Sequence, residues 1–349
     1  MSKRPTPARK KSRPILEHTV PQFLLKGFTE SGTEAIYGYD KATDRVFKTG
    51  VPAIAAEKGF YDFEIAGGEF TIEPSLGRME AAAAEIITRI VSSESISGLT
   101  PPDRVLLSLF VAIQITRAKR VRLNLKALNE LFEKKLREMG LDPAKVENFG
   151  TMTDEDAKLL SIKMVGESNV FAPYIFQKTW LLFRADRDHP FWISDNPVTM
   201  HNDDVDPRRG GLGLAVRGVQ VNCPISSRLS LAFYSRMHEA AFRRGYERYK
   251  LMSRADPPSA AKMVKDPLAT EAFMIALTDG KAMTLPITSV VHLNSLQVAF
   301  AHRFVYGPND RFDLIRRMIH DDPGYRRGPA PTVKLATASR RSVTIGAAR

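Results

Sequence analysis

Between Thr100 and Gly140 the chain reads TPPDRVLLSLFVAIQITRAKRVRLNLKALNELFEKKLREMG, the longest helical pattern in its 349 residues. Both ends are marked. Thr100 suits the N-cap, Pro101 and Pro102 suit the first turn, and Asp103 sits where the helix dipole favours an acid. Gly140 supplies a left-handed stop after Lys134, Lys135 and Arg137. The pattern predicts one helix from Pro101 to Met139, spanning roughly 58 Å if straight. Its first half, Val105 to Ile115, is apolar on every side and predicts a helix buried all round. The second half narrows to a stripe of Leu125, Leu128, Leu131, Phe132 and Leu136. Gln114 and Arg117 stand three apart in the buried part and so share a face. A guanidinium there needs an anion, because an unpaired buried charge is costly.

Around this helix the other patterns fall on both sides in sequence. AIYGYD and RVFKTG, joined by a turn at Lys41–Asp44, predict a β-hairpin. A second helix starts near Pro74, with Glu73 and Glu80 seven apart on one face, and a third covers Asp154–Met164. TWLLFRAD and FWISDNPVTM read as another hairpin, and GLGLAVRGVQVNCPIS and RLSLAFYS as further strands, with Gly210–Gly213 a loop. Helices are expected over Glu239–Arg254, Ala269–Leu277 and Ser289–Tyr306. Strands flank a helical centre instead of alternating with helices, so the pattern favours α+β, with antiparallel hairpins and a helical C-terminal part. One domain is expected over residues 15–325, with two packed halves, 15–150 and 151–325, as the alternative division.

Charge narrows the partners. The net charge of +12 lies in the ends: residues 1–14 and 326–349 each carry six basic residues and no acid, leaving 39 of each sign between them. Both ends lack periodicity and read as disordered basic tails, suited to nucleic acid or another polyanion. The single cysteine, Cys223, makes no internal disulfide and rules out a multi-cysteine metal site, and no apolar run is long enough to cross a membrane. A cytoplasmic location is the simplest expectation; the sequence names no cofactor, metal or oligomeric state.

Polar residues interrupt apolar segments at five places: His18 with Gln22; Glu57 with Tyr61 and Asp62; Gln114 with Arg117; Ser194-Asp195-Asn196 before Pro197; and Asn294 with Gln297 and His302. Each has a structural reading. Asp-Asn-Pro is a good turn, His18 suits a structural hydrogen bond, and Asn294 and Gln297 suit satisfying nearby backbone. There is no dinucleotide fingerprint, phosphate-loop lysine, paired-histidine zinc motif or nucleophile elbow.

Taken together, HTVPQFLLKGF, AAEKGFYDF, the Gln114/Arg117 helix, FWISDNPV and VVHLNSLQVAFAHRFVYG resemble an uncharacterised bacterial and fungal family, domain of unknown function 4238. The resemblance covers residues 18 to 310. Leu24 stands where that family often has tyrosine, and Ala118 where it often has threonine. It implies one α+β domain and no particular reaction.

The five insertions motivate a phosphoester hydrolase or nuclease-like enzyme acting on a nucleotide or nucleic acid. In that reading Arg117 holds a phosphate, Asp195 acts as base or metal ligand, His18 acts as acid or ligand, and Gln22, Gln114 and Asn196 orient the substrate. The competing expectation is a non-catalytic binding or interaction protein whose polar cluster ties the elements together. In either case Asp195, at the end of an apolar strand, is the partner expected for Arg117.

Overall fold

A computed structural model describes residues 16–65, 68–147, 149–203 and 212–328. The expected basic tails lie outside these residues, except for the stretch 326–328. There Arg326 belongs to the fold, its guanidinium donating to the carbonyl of Lys41 at 3.0 Å.

In chain order the elements are β1 (Leu16–His18), α1 (Gln22–Lys26), β2 (Ala35–Asp40), β3 (Arg45–Gly50), β4 (Ala56–Lys58), β5 (Asp62–Ile65) and β6 (Gly68–Thr71). Helices α2 (Glu73–Ser93), α3 (Pro101–Thr116), α4 (Lys119–Glu138), α5 (Asp154–Gly166) and α6 (Ala172–Phe176) form the helical centre. Strands return as β7 (Thr179–Arg184), β8 (Ile193–Ser194), β9 (Thr199–His201), β10 (Gln220–Pro224) and β11 (Leu229–Tyr234). The described residues continue through α7 (Arg236–Ala255), α8 (Pro257–Met263), α9 (Pro267–Asp279), β12 (Met283–Thr284), α10 (Ile287–Phe300), β13 (Phe304–Gly307) and α11 (Asp313–Asp321). The architecture is α+β.

Two sheets organise these elements. One has the order β12-β7-β11-β10-β9, antiparallel except for the β12–β7 pair. Its inner strands are buried on both faces, so β11 carries no polar alternation and its one polar residue, Ser230, is buried with the rest. The other sheet has the order β3-β2-β13-β8, all antiparallel, and takes strands from both sides of residue 150. The β2–β3 hairpin forms as its turn predicts. The expected hairpin of 179–184 with 191–200 does not form. β7 pairs with β11 and β12, whereas β8 pairs with β13 in the other sheet, because the loop at 185–192 carries the chain from one sheet to the other.

α3 packs against α2, α5 and α6, and Phe110 meets Phe23 with ring centroids 5.7 Å apart. The capping box at Thr100 and Asp103 forms, and Gly140 takes a left-handed φ of 77° after α4. Between these ends the helix is not continuous. Arg117 closes α3 and Ala118 turns extended, with φ −56° and ψ 132°, before α4 begins at Lys119. Nor is the apolar half buried all round, for Val105 is 57% exposed. The last expected helix likewise stops early: α10 ends at Phe300, and Phe304–Gly307 forms β13 at the middle of a sheet.

Gly27 fastens the N-terminal segment to the first sheet. A β-carbon there would stand 2.8 Å from the carbonyl oxygen of Ile225, and Ser227 donates to the Gly27 carbonyl at 2.8 Å. This approach sets β1 and α1 against the core that also holds α3.

Candidate functional site

The α3–α4 break brings Arg117 to a polar centre inside the fold. Its side chain is buried, with the residue 1% exposed. Nε and Nη2 donate to Oε1 of Gln114 at 3.2 and 2.7 Å, and Nη1 donates to Oε1 of Glu80 at 2.5 Å. Glu80 comes from α2, whose seven-residue spacing also brings Glu73 to the same face. The Tyr61 hydroxyl, in the field of Arg117 and Glu80, donates to the backbone carbonyl of His18 at 3.3 Å. Burial pushes that phenol up to about 12.

β1 delivers Glu17 and His18 to this centre. Glu17 is buried; its carboxylate accepts from the Tyr61 backbone N–H at 2.6 Å and from the Thr71 hydroxyl at 3.4 Å. Burial raises its pKa and the Tyr61 N–H partly restores it. His18 Nδ1 faces the amide nitrogen of Gln22 at a long 3.5 Å, four residues on. A Gln22 amide donating to Nδ1 places the ring proton on Nε2, which is buried and has the Pro52 carbonyl near it, though not in good hydrogen-bond geometry. Burial lowers the pKa of His18, and the Pro52 carbonyl and Glu80 oppose that shift. Gln114 Nε2 is also buried without a partner.

Glu73 is the most perturbed acid here. Burial, then the charges of Glu17 and Glu80, raise its carboxyl to about 7, against the pull of Arg117. At the rim, Lys119 pairs with Glu57 at 2.8 Å, while Arg122 approaches Glu57 at 3.8 Å and donates to the Phe60 carbonyl at 3.1 Å. Among the described residues, no three His, Cys, Asp or Glu side chains are placed to hold a metal ion.

Four of the six residues singled out in the sequence therefore gather in one place: His18, Gln22, Gln114 and Arg117. Asp195 and Asn196 do not join them. The Asp195 carboxylate accepts from the backbone N–H groups of His302, Arg303 and Phe304 at 2.8, 2.8 and 2.9 Å, fixing the turn between α10 and β13. Asn196 donates to the Phe300 carbonyl at 3.1 Å, and Ser194 bonds to Gln297, which donates to the Pro197 carbonyl. Asn294 accepts from the Trp192 N–H and donates to the Pro190 carbonyl. This second polar set satisfies backbone where the chain enters β8 and β13.

Lys41 completes that second set. Fully buried, it donates to the carbonyls of Val298 and Ala301 at 2.7 Å each, at the end of α10 where helix carbonyls lack partners. Burial draws its pKa down to about 8, with Asp195 opposing the shift. Next to it Asp40 is held near 2 by the Arg303 guanidinium. Lys41 carried no signal in the sequence, since it sits in a turn among polar residues. Glu80 and Glu73 were visible only as a seven-residue spacing.

The chain belongs to the family described as protein of unknown function (DUF4238), whose model matches residues 17–311. No curated protein and no solved structure matches it. No helix among the described residues is long and apolar enough to cross a membrane.

Proposed function

We propose that this protein is a hydrolase, with the phosphoester of a nucleotide or nucleic acid as its substrate, and that Glu73 and His18 carry the proton chemistry. The observation behind this reading is a carboxyl poised near pH 7, in the field of the same Glu80–Arg117 pair that His18 feels. Ionised Glu73 takes a proton from water as the water oxygen bonds to phosphorus. The leaving oxygen departs with the P–O electron pair, stabilised by a hydrogen bond from the Nε2–H of His18, and takes its proton from solvent water, to which Glu73 returns the proton it accepted. The base role moves from Asp195, whose oxygens are used by backbone, to Glu73. Phosphate charge falls to Lys119 and Arg122 at the rim, where the Lys119–Glu57 pair is half-exposed and open to exchange, while the donors of the wholly buried Arg117 are committed to Gln114 and Glu80. Arg117, held by Glu80, acts by its charge, pulling the Glu73 carboxyl down against burial, Glu17 and Glu80 so that it titrates near neutrality.

A second reading has its own support. The saturation of Arg117 and Asp195 inside the fold suits a non-catalytic binding protein whose polar groups are structural. Hydrolysis of bis(p-nitrophenyl) phosphate and p-nitrophenyl phosphate separates the two. The hydrolase reading expects turnover that rises with pH through about 7 and is lost in folded His18→Ala and Glu73→Gln. No turnover, or turnover untouched by both changes, leaves the binding reading.

A further inference from the structure

Although the chain between its basic ends balances 39 positive against 39 negative residues, the fold does not spread them evenly. α7 is twenty residues long and buries none of its side chains. Arg236, Arg244, Arg248, Lys250 and Arg254 are all exposed along it. At 3.6 residues per turn these five fall within roughly 160° of arc, over a length of about 27 Å. No carboxylate of the described residues lies within ion-pair distance of any of them; the one pair within α7 joins Arg243 to Glu239. On the same arc the only acid is Glu247, and the large apolar side chains are Leu251, 67% exposed, and the half-buried Met237, which meets the Arg217 guanidinium.

Beside this stripe, α7 forms one wall of an open cleft of about 510 Å³ bounded by the 263–266 turn, with Lys265 and Asp266, and by α9. Phe242, Tyr246 and Phe273 supply aromatic surface, with Phe242 and Phe273 edge to face at 4.5 Å, and Lys265 stands at the lining. Gly245, between the stripe and the aromatic wall, belongs to the same lining.

We infer that α7 is a docking surface for single-stranded nucleic acid, with phosphates along the arginine stripe and an unstacked base against Tyr246 in the adjoining cleft. Four unpaired guanidiniums, planar and forked, suit phosphate oxygens better than they suit solvent alone. A membrane is the poorer occupant, because the charged arc offers one exposed leucine and a half-buried methionine where interfacial helices offer a full apolar face. An aromatic cleft next to a cationic track favours a single strand, whose bases are free to stack, over a duplex. This inference stands apart from the hydrolase reading, since binding needs neither Glu73 nor His18.

Fluorescence anisotropy of the full chain with a labelled single-stranded DNA of about 12 nucleotides tests it. In Arg244→Glu/Arg248→Glu, affinity should fall about tenfold or more, and the slope of log affinity against log salt should fall by roughly 1.4. Lys163→Glu/Arg317→Glu makes the same change in net charge on other exposed helices and should lose far less. Tyr246→Ala should weaken the single strand about tenfold while leaving a duplex of the same sequence unchanged. Unchanged binding by a folded α7 double variant overturns the proposal, as does an equal loss in the control pair. Binding to phosphatidylglycerol vesicles that the α7 variant abolishes, with oligonucleotide binding intact, would assign the surface to lipid instead.

Discussion

Arg117 donates from Nη1 to Oε1 of Glu80 at 2.5 Å, and this pair joins the end of α3 to the middle of α2. The guanidinium side chain is wholly buried while that of Glu80 is 22% exposed, so the arginine depends on the pair more than the glutamate does. Arg117→Met should cost about 3 kcal/mol, since it strands Glu80 and the Gln114 carbonyl. Adding Glu80→Gln should recover much of that loss, a coupling visible in urea melts of the four proteins of the cycle. Pairing Arg117→Met with Asp195→Asn should give near-additive losses, because the two side chains share no partner.

Asp195 has a different task. Three backbone N–H groups point at its carboxylate, and both oxygens are engaged. Asp195→Ala should leave these donors without an acceptor and cost about 3 kcal/mol. Loosening should concentrate in the α10–β13 turn, and amide exchange at His302, Arg303 and Phe304 reports it residue by residue. A variant that lost activity at wild-type stability would return Asp195 to the chemistry.

Glu73 sets a pH dependence whose sign is fixed. Its carboxyl rises from 4.5 to about 7 in the folded chain, so between those values the folded state holds more proton than the unfolded state. Its contribution to stability is fully present below pH 4.5 and is lost as pH rises through 7. After allowance for its partial exposure, wild type should be less stable at pH 8 than at pH 5 by about 1–2 kcal/mol from this group. Glu17, also raised, adds in the same direction. Glu73→Gln should flatten the difference in urea midpoints; the same slope in the variant would place the titration elsewhere.

The need of Arg117 for an anion was legible in the sequence, and so was the convergence of Gln114 with it, because both follow from helix spacing and burial cost. Which anion answers was not legible. Asp195 and Glu80 are equally acidic on paper, and only the packing of α2 on α3 selects between them. The Asp195 turn looked like a site because a carboxylate after an apolar strand serves a backbone turn and a reaction equally well. β7 and β8 looked like a hairpin because pairing across two sheets leaves no local trace. The arginines of α7 were hidden differently, since a balanced total charge says nothing about where the fold gathers one sign.

The break between α3 and α4 was invisible because the residue that makes it carries no capping side chain. Ala118 takes the extended N-cap conformation of α4, yet no side-chain oxygen meets the first-turn N–H groups. Lys119 and Arg120 then place two cations at the positive end of the helix dipole, a weak start for a twenty-residue helix. A hydroxyl at this position can accept from the N–H of Arg120, so Ala118→Ser should stabilise the chain by about 1 kcal/mol. Ala118→Thr should match it only where the γ-methyl finds room, for Ala118 is buried. Thermal melts give the gain, and amide exchange over Lys119–Arg122 locates it in the first turn. An unchanged melt for Ala118→Ser would mean that the Arg117–Glu80 anchor, and not the cap, holds the start of α4 and with it the basic rim at Lys119 and Arg122.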